Sequence, residues 1–253
     1  MNNILVLNSI NKRFGDIKVL MDINASITKG TITAFIGPNG AGKTTLFHTI
    51  AGTIKPDSGT VIYNGNKISG LSPSAVARLG IGRQFQDVRL FGNLTVLENI
   101  IVGMISHKNR DFWRVYFHSR QIKNEINENK KNAMKWIDYV GLADFKSTFA
   151  HDLSFGQQRL LSMARLFAKG YNFLLLDEPT AGLSMSMVNK IMDLIQDVVR
   201  KKNMSVALIE HNISVVSELA SHIYFLNEGK VAFSGKANDI LSNRSVREMY
   251  MGL

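Results

Sequence analysis

The chain has 253 residues, no cysteine and a formal net charge of +10, with 45% apolar and 20% charged residues. This length fits one large domain or a core with an inserted lobe, and the absence of cysteine excludes disulfides and thiol chemistry. No apolar run approaches the roughly 20 residues that span a bilayer, and the first residues lack a signal-peptide pattern. We therefore expect a soluble cytosolic protein. Its positive charge indicates either an ordinary solvated basic surface or a polyanionic neighbour, which could be nucleic acid, an anionic membrane surface or nucleotide phosphates.

A strand, a glycine-rich loop and a helix are predicted between residues 31 and 52. Residues 31–36 form a β-branched and aromatic run, and GPNGAGKT, residues 37–44, then fits the pattern G-x-x-x-x-G-K-[ST]. The backbone N–H groups of such a loop form a nest for phosphates, Lys43 is expected to reach the β- and γ-phosphates, and Thr44 to bind Mg²⁺. The predicted nucleotide-binding residues are Gly37, Pro38, Asn39, Gly40, Ala41, Gly42, Lys43, Thr44 and Thr45.

The next part of the chain changes from strands to a polar helical stretch. A hairpin turn is predicted at Asn64-Gly65, and the chain becomes helical from about residue 87 to 150. Residues 106–146 carry nine Lys and Arg residues against five Asp and Glu, with an aromatic cluster inside. Two interpretations stay open: a solvated lobe with a small aromatic core, and a surface that contacts a membrane partner or acidic headgroups. The aromatic residues are Phe112, Trp113, Tyr116 and Phe117.

The segment HDLSFGQQRLLSMARLF, beginning at His151, predicts a helix whose start binds an anion. Ser154 and Gly156 stand at the helix start, where backbone N–H groups point outward, and an apolar stripe follows. The segment contains no obvious nucleophile, metal ligand or base. It therefore indicates half of a site whose other half lies elsewhere.

Acidic and basic side chains follow two predicted buried strands. Asp177 ends the strand predicted at 172–177, whose residues FLLL are apolar without alternation, and Glu178 follows at once. His211 comes after the strand predicted at 206–209. We expect Asp177 to hold Mg²⁺, Glu178 to polarise an attacking water, and His211 to contact the γ-phosphate and that water. Gln86 is predicted to sense both Mg²⁺ and water. A helix over 187–199 and a hairpin with strands at 223–226 and 231–233 complete the prediction.

Five motifs occur in the order found in ABC-type ATPases, and the chain resembles that family over essentially its whole length. They are the loop 37–44, Gln86, the segment LSFGQ at 153–157, the segment LDE at 176–178, and His211. The resemblance implies an α/β fold: a P-loop ATPase core with a mostly parallel sheet, an N-terminal antiparallel β subdomain and an inserted helical subdomain. Residues 1–86 and 160–253 would form the core with the β subdomain, and 87–159 the helical subdomain ending in the signature motif.

The resemblance also implies what binds at each motif. ATP and Mg²⁺ are the expected bound groups, with Phe14 stacking on adenine and Gln86 joining Thr44 and Asp177 at the metal. In this family the signature helix faces the ATP held by a second subunit, so Ser154, Gly156 and Gln157 would contact nucleotide across a dimer interface. The sequence departs from the family pattern at Phe155, where glycine is usual, at Ser184, where aspartate is common, and at Phe14, where tyrosine is commoner.

The stretch Gly80–Met104 and the ending NDILSNRSVREMYMGL resemble the ATPases of branched-chain and other hydrophobic amino-acid importers. That likeness implies a peripheral subunit on the cytoplasmic side of the inner membrane. Its partners would be a second ABC ATPase subunit, transmembrane permease subunits and, indirectly, an external substrate-binding protein, with no nucleic acid. The alternatives are ATPases for urea or amide import or lipopolysaccharide extraction, a soluble ABC ATPase acting on nucleic acid or ribosomes, and a P-loop kinase.

Overall fold

The computed structural model describes residues 2–84, 88–104 and 119–251, with backbone only at 119–127, 250 and 251. It divides into two compact units, Met1–Gln86 with Tyr171–Leu253, and Asp87–Gly170. The boundary predicted between residues 159 and 160 lies within the helix Phe155–Ala168. The apolar stripe of this helix continues past residue 160, and the whole helix belongs to the second unit.

The first unit contains ten strands and six of the helices described here. In chain order they are β1 (Asn3–Phe14), β2 (Ile17–Thr28), β3 (Ile32–Ile36), α1 (Lys43–Ile50), β4 (Ser58–Tyr63), β5 (Asn66–Lys67), α2 (Pro73–Arg78), β6 (Ile81–Arg83), β7 (Phe173–Asp177), α6 (Met185–Lys202), β8 (Ser205–Ile209), α7 (Ile213–Leu219), β9 (His222–Asn227), β10 (Lys230–Lys236), α8 (Ala237–Ser242) and α9 (Arg244–Met251). The second unit contributes α3 (Val96–Met104), α4 (Ser119–Tyr139) and α5 (Phe155–Ala168).

The larger sheet has six strands in the order β10-β9-β3-β8-β7-β6. Strands β6, β7, β8, β3 and β9 are parallel, and β10 pairs antiparallel with β9. Every residue of β3, β7 and β8 is buried, as expected for strands covered on both faces, which is why they read as continuous apolar runs. The mostly parallel sheet predicted from the sequence is confirmed.

The register of this sheet aligns the ends of β3, β7 and β8. Asp177, the last residue of β7, pairs with Ile209, the last residue of β8, and Phe35 of β3 also pairs with Ile209. The loops that follow β3, β7 and β8 therefore leave the sheet at the same edge. In open α/β sheets this carboxyl edge is where ligands bind.

The smaller sheet is antiparallel, in the order β2-β1-β4-β5, as predicted for the N-terminal part. Asn64-Gly65 forms the turn between β4 and β5, with both residues at positive φ, 46° and 78°. One continuous core joins this sheet to the larger one. Phe35 of β3 stacks on Tyr224 of β9 and meets Phe47 of α1 edge-on, with ring centroids 5.3 and 6.0 Å apart.

The second unit is helical. The side chain of Trp136 on α4 packs against Phe167 of α5, with ring centroids 5.9 Å apart. A buried side chain, Asn99 on α3, donates to the carbonyls of Phe91, Leu94 and Thr95 and holds the loop before the helix. The aromatic cluster at 112–117 and Gln86 lie outside the described residues. Across the ranges described above, no helix is both long and apolar enough to cross a membrane.

Candidate nucleotide-binding site

The loop between β3 and α1 requires glycine at specific positions. Gly37, Gly40 and Gly42 have φ values of 145°, 81° and 97°, in the range that side chains disfavour. A Cβ atom at Gly37 would overlap the carbonyl of Leu226, and one at Gly42 would lie 2.7 Å from the carbonyl oxygen of Val19. Only glycine fits these two positions, so the loop keeps the backbone-lined concavity that a phosphate chain needs.

Lys43 begins α1 and turns its side chain back over this loop. Its ammonium donates to the carbonyl oxygens of Gly37 and Pro38 at 2.8 and 2.9 Å, and the residue is 6% exposed. Burial lowers the pKa of Lys43, while the nearby carboxylates of Glu178 and Asp177 raise it in opposition. A cation in the mouth of the loop with two carboxylates within electrostatic range is an arrangement suited to a metal-bound polyphosphate.

Asp177 ends β7 as a buried carboxylate. It is 2% exposed, and the Arg83 guanidinium at the end of β6 lies 3.4 Å from its Oδ2 atom. Burial raises the pKa of Asp177, and Arg83 opposes that shift as a nearby cation. A second cation that shares this carboxylate would favour the ionised form further.

Glu178 and His211 come together at the carboxyl edge of the sheet. His211 Nε2 lies 3.0 Å from Glu178 Oε1, and both side chains are partly open to solvent. Glu178 has a φ of 49°, a strained value for a residue with a side chain, and its N–H donates to the carbonyl of Ile209 at 2.9 Å. A cavity of about 300 Å³ opens beside this pair, several times the volume that one water molecule occupies.

Of the residues expected to bind the metal, the structure describes Thr44 and Asp177. Thr44 is exposed at the start of α1, and Asp177 supplies a carboxylate at the same edge; Thr45, expected to contact the nucleotide, is half-buried beside Thr44. A hydroxyl and a carboxylate are hard oxygen ligands, which suits Mg²⁺ held mainly by phosphates and water. These donors fit the ion, and Gln86 lies outside the described residues.

Phe14, the expected adenine platform, ends β1 at a tight turn. Its side chain is 47% exposed, and Lys12 places its ammonium 5.4 Å from the ring centroid. The turn brings Phe14 opposite Ile17 in the antiparallel ladder of β1 and β2. An exposed ring face of this kind can stack on a heteroaromatic base.

The signature segment begins α5 in the helical unit. Ser154 is the N-cap, and a capping box forms: Ser154 Oγ accepts from the Gln157 N–H at 3.4 Å, and Gln157 Oε1 accepts from the Ser154 N–H at 2.9 Å. Phe155 is 49% exposed, and its ring lies 5.4 Å from the guanidinium carbon of the buried Arg159. The Ser154 O–H remains a donor, because capping uses only the lone pairs of its oxygen.

Three residues at the sheet edge were missed by sequence reasoning: Arg83, Thr180 and Glu210. Glu210 is 2% exposed and accepts hydrogen bonds from the Thr180 N–H at 3.0 Å and the Thr180 hydroxyl at 2.6 Å. The only sequence signal was their place beside recognised motifs. Their pairing depends on which strands are neighbours, and no local pattern encodes that.

Known proteins resemble this chain in sequence and in overall fold. The sequence profile of the ABC transporter family matches residues 20–181. The high-affinity branched-chain amino acid transport ATP-binding protein BraF of Pseudomonas aeruginosa is 34% identical over 249 residues, with 98% of each chain covered.

Similar solved structures include a nucleotide-free ATP-binding cassette from an ABC transporter, with a TM-score of 0.85, 29% identity and coverage of 99% of this chain and 100% of that one. Another is a dimeric post-hydrolysis state of the cassette MJ0796 bound to ADP and Pi, with a TM-score of 0.77, 26% identity and coverage of 92% and 98%. The fold therefore has matched counterparts along nearly the whole chain. The chain belongs to the ABC transporter family and carries its ATP-binding domain.

Proposed function

We propose that this chain hydrolyses ATP with Mg²⁺ and thereby powers a membrane transporter that imports branched-chain or other hydrophobic amino acids. The observation that carries the proposal is the Glu178–His211 contact of 3.0 Å, at the same sheet edge as the Lys43 ammonium and the Asp177 carboxylate. A base, a phosphate-binding cation and a metal-ligating carboxylate are the parts that phosphoryl transfer to water requires.

Each residue has a distinct task in this proposal. Lys43 exchanges the carbonyls of Gly37 and Pro38 for the β- and γ-phosphates, and Thr44 and Asp177 hold the metal together with Gln86. When bound, Mg²⁺ neutralises charge that develops on the phosphate oxygens. Glu178 orients and polarises the attacking water, and His211 holds Glu178 and contacts the γ-phosphate. The remaining loop residues donate backbone N–H groups, and Phe14 stacks on adenine.

The proposal includes a second ATPase subunit. Ser154, Gly156 and Gln157 at the start of α5 would contact the ATP of a partner subunit, whose own signature helix covers the ATP of this chain. Dimeric cassettes occur among the similar structures, which supports this arrangement. Closure over ATP and opening after phosphate release would drive transmembrane permease subunits from the cytoplasmic side of the inner membrane, with substrate delivered by an external binding protein.

The amino-acid substrate is proposed from the relatives. BraF is named for transport of branched-chain amino acids, and it matches 98% of this chain. To test this, the chain is tagged, purified from membranes with the permease subunits that accompany it, and reconstituted in vesicles. We expect ATP-dependent uptake of labelled leucine when the binding protein is present. ATP-dependent uptake of urea without any uptake of leucine would contradict the proposed amino-acid substrate.

Hydrolysis is tested in the same assembly. Glu178→Gln keeps the shape of the side chain but loses the basic carboxylate, so turnover should fall by about 10²-fold while ATP still binds. Glu218→Gln, which changes an exposed glutamate on α7, is the matched control and should leave turnover unchanged. Near wild-type turnover in Glu178→Gln would show that Glu178 is not the catalytic carboxylate.

A further inference from the structure

Glu210 lies between β8 and His211 and is buried although it carries a carboxylate. Its Oε1 atom accepts from the Thr180 hydroxyl at 2.6 Å and from the Thr180 N–H at 3.0 Å, and its Oε2 atom accepts from the His211 N–H at 3.2 Å. Burying a carboxylate is costly unless hydrogen bonds compensate for lost water, and charge-assisted bonds are the strongest available. Glu210 is thus anchored on two loops at once.

These contacts join the two residues of the proposed hydrolytic pair through a closed path. Thr180 follows Glu178 by two positions, and His211 follows Glu210 directly. The path runs from Glu178 along the chain to Thr180, across to Glu210, on to His211, and back to Glu178 through the 3.0 Å contact. The Glu178 N–H bond to Ile209 adds a further tie between the two strand ends.

This closed path also explains how Glu178 keeps an unfavourable backbone conformation. A non-glycine residue with a φ of 49° persists only when its surroundings over-determine it. Thr180 fixes the chain just after Glu178, and Ile209 fixes the N–H of Glu178 itself. The rotamer of Glu178 is then set by His211, which Glu210 also holds.

We infer that Glu210 and Thr180 are positioning residues for hydrolysis: together they hold Glu178 and His211 at their mutual distance. The inference rests on the proposed function, since it assigns these residues a task in that same reaction. A merely structural tie between β7 and β8 would affect stability and nucleotide binding alike. A positioning role affects turnover while ATP affinity is kept, because Lys43 and its loop are untouched.

The test uses the assembled transporter and replaces the Thr180 hydroxyl. Thr180→Val removes the donor to Glu210 with little change of shape, and Thr180→Ser retains it. We expect Thr180→Val to lower kcat by roughly tenfold or more with the KM for ATP within about twofold, and Thr180→Ser to stay within about threefold of wild type. The matched control is Thr49→Val, which removes a hydroxyl that donates to the Thr45 carbonyl inside α1 and should leave kcat unchanged.

A spectroscopic measurement on the full chain provides a readout that does not depend on turnover. The ring ¹⁵N chemical shifts of His211 report which nitrogen carries the proton and whether Nε2 contacts Glu178. Thr180→Val should shift these signals, while Thr180→Ser and Thr49→Val should not. Glu210→Asp retains the charge but withdraws the carboxylate by one methylene, so it should reproduce the shift of the His211 signals and the selective loss of kcat. This variant serves as the test if Thr180→Val folds poorly.

The outcomes separate this inference from the proposed function. Wild-type kcat and unchanged His211 signals in Thr180→Val would overturn the positioning role, and so would an equal loss in Thr180→Ser. A parallel fall in kcat and ATP affinity would also overturn it, in favour of a structural tie. Failure of the proposed function would look different: the wild-type assembly would lack ATPase activity, or the turnover of Glu178→Gln would equal that of wild type.

Discussion

The ammonium group of Lys43 would exchange its present hydrogen bonds for new ones on binding ATP. Its ammonium donates to the carbonyls of Gly37 and Pro38, and those donors would turn to phosphate oxygens. Each charge-assisted contact is worth roughly 1.5–3 kcal/mol. We expect Lys43→Ala to weaken ATP binding by about one to two orders of magnitude, measured by calorimetry. Lys29→Ala, at an exposed site, is the control, and undiminished binding by Lys43→Ala would refute the assignment.

His222, at the start of β9, makes a prediction about pH and stability. Its ring packs 4.8 Å from the Tyr224 ring, and burial lowers the pKa of His222 below 6.5. As the pH falls through about 6.5, the unfolded chain takes up this proton before the folded one does, so the free energy of unfolding decreases. We expect the melting temperature of His222→Gln to drop less than that of wild type between about pH 7.5 and about pH 5.5. An equal drop would contradict the prediction.

At the scale of one element, a substitution at the start of helix α5 should affect the isolated chain and the assembled complex differently. Ser154 caps this helix, and the proposed function gives its O–H to the ATP of a partner subunit. Ser154→Arg should therefore leave the nucleotide affinity of the isolated chain almost unchanged and abolish hydrolysis by the assembled complex, because the larger side chain fills the place of the γ-phosphate. Titration with a fluorescent nucleotide measures the first effect. A large loss of affinity in the monomer would refute the shared site.

Phe155 on the same helix leads to the opposite expectation. Its ring is half-exposed and covers the Arg159 guanidinium, so it contributes a cation–π contact. Phe155→Gly restores the residue that the family more often has, and we expect the ATPase rate of the complex to stay within about threefold of wild type, with a cost of about 1 kcal/mol in stability. An ATPase assay and thermal melting measure the two effects. A strong loss of hydrolysis would show that the aromatic ring is required.

The elements differ in how far sequence predicts them. Strands β3, β7 and β8 were predicted within a residue or so, because strands buried on both faces are continuous apolar runs. Helix α6 begins and ends beyond the predicted 187–199, at Met185 and Lys202, because the residues added at both ends are exposed and do not extend the buried apolar stripe. The loop 37–44 is a local motif and was recognised. Thr180, Glu210 and Arg83 were missed, since their roles come from strand neighbours far apart in sequence.

At the scale of the whole molecule, the proposed site is complete only when two subunits meet. We expect the Glu178→Gln chain to bind ATP without turning it over, so that the closed state accumulates. With its partner subunit present, we expect this variant to elute as a dimer in size-exclusion chromatography with ATP and Mg²⁺, and as a monomer with ADP. Ser154→Arg added to Glu178→Gln is the control and should stay monomeric. A dimer that forms equally without ATP would contradict nucleotide-driven closure.

The strand order has a consequence for how this chain is made. Strand β3 ends at the proposed phosphate-binding loop, yet both its neighbours, β8 and β9, are translated only after residue 204. On the ribosome, β3 therefore emerges with two unpaired edges, and such edges are prone to aggregation until the neighbouring strands have been synthesised. Such distant pairing slows folding. We expect a nascent chain stopped before residue 205 to lack both neighbours of β3 and therefore not to bind ATP.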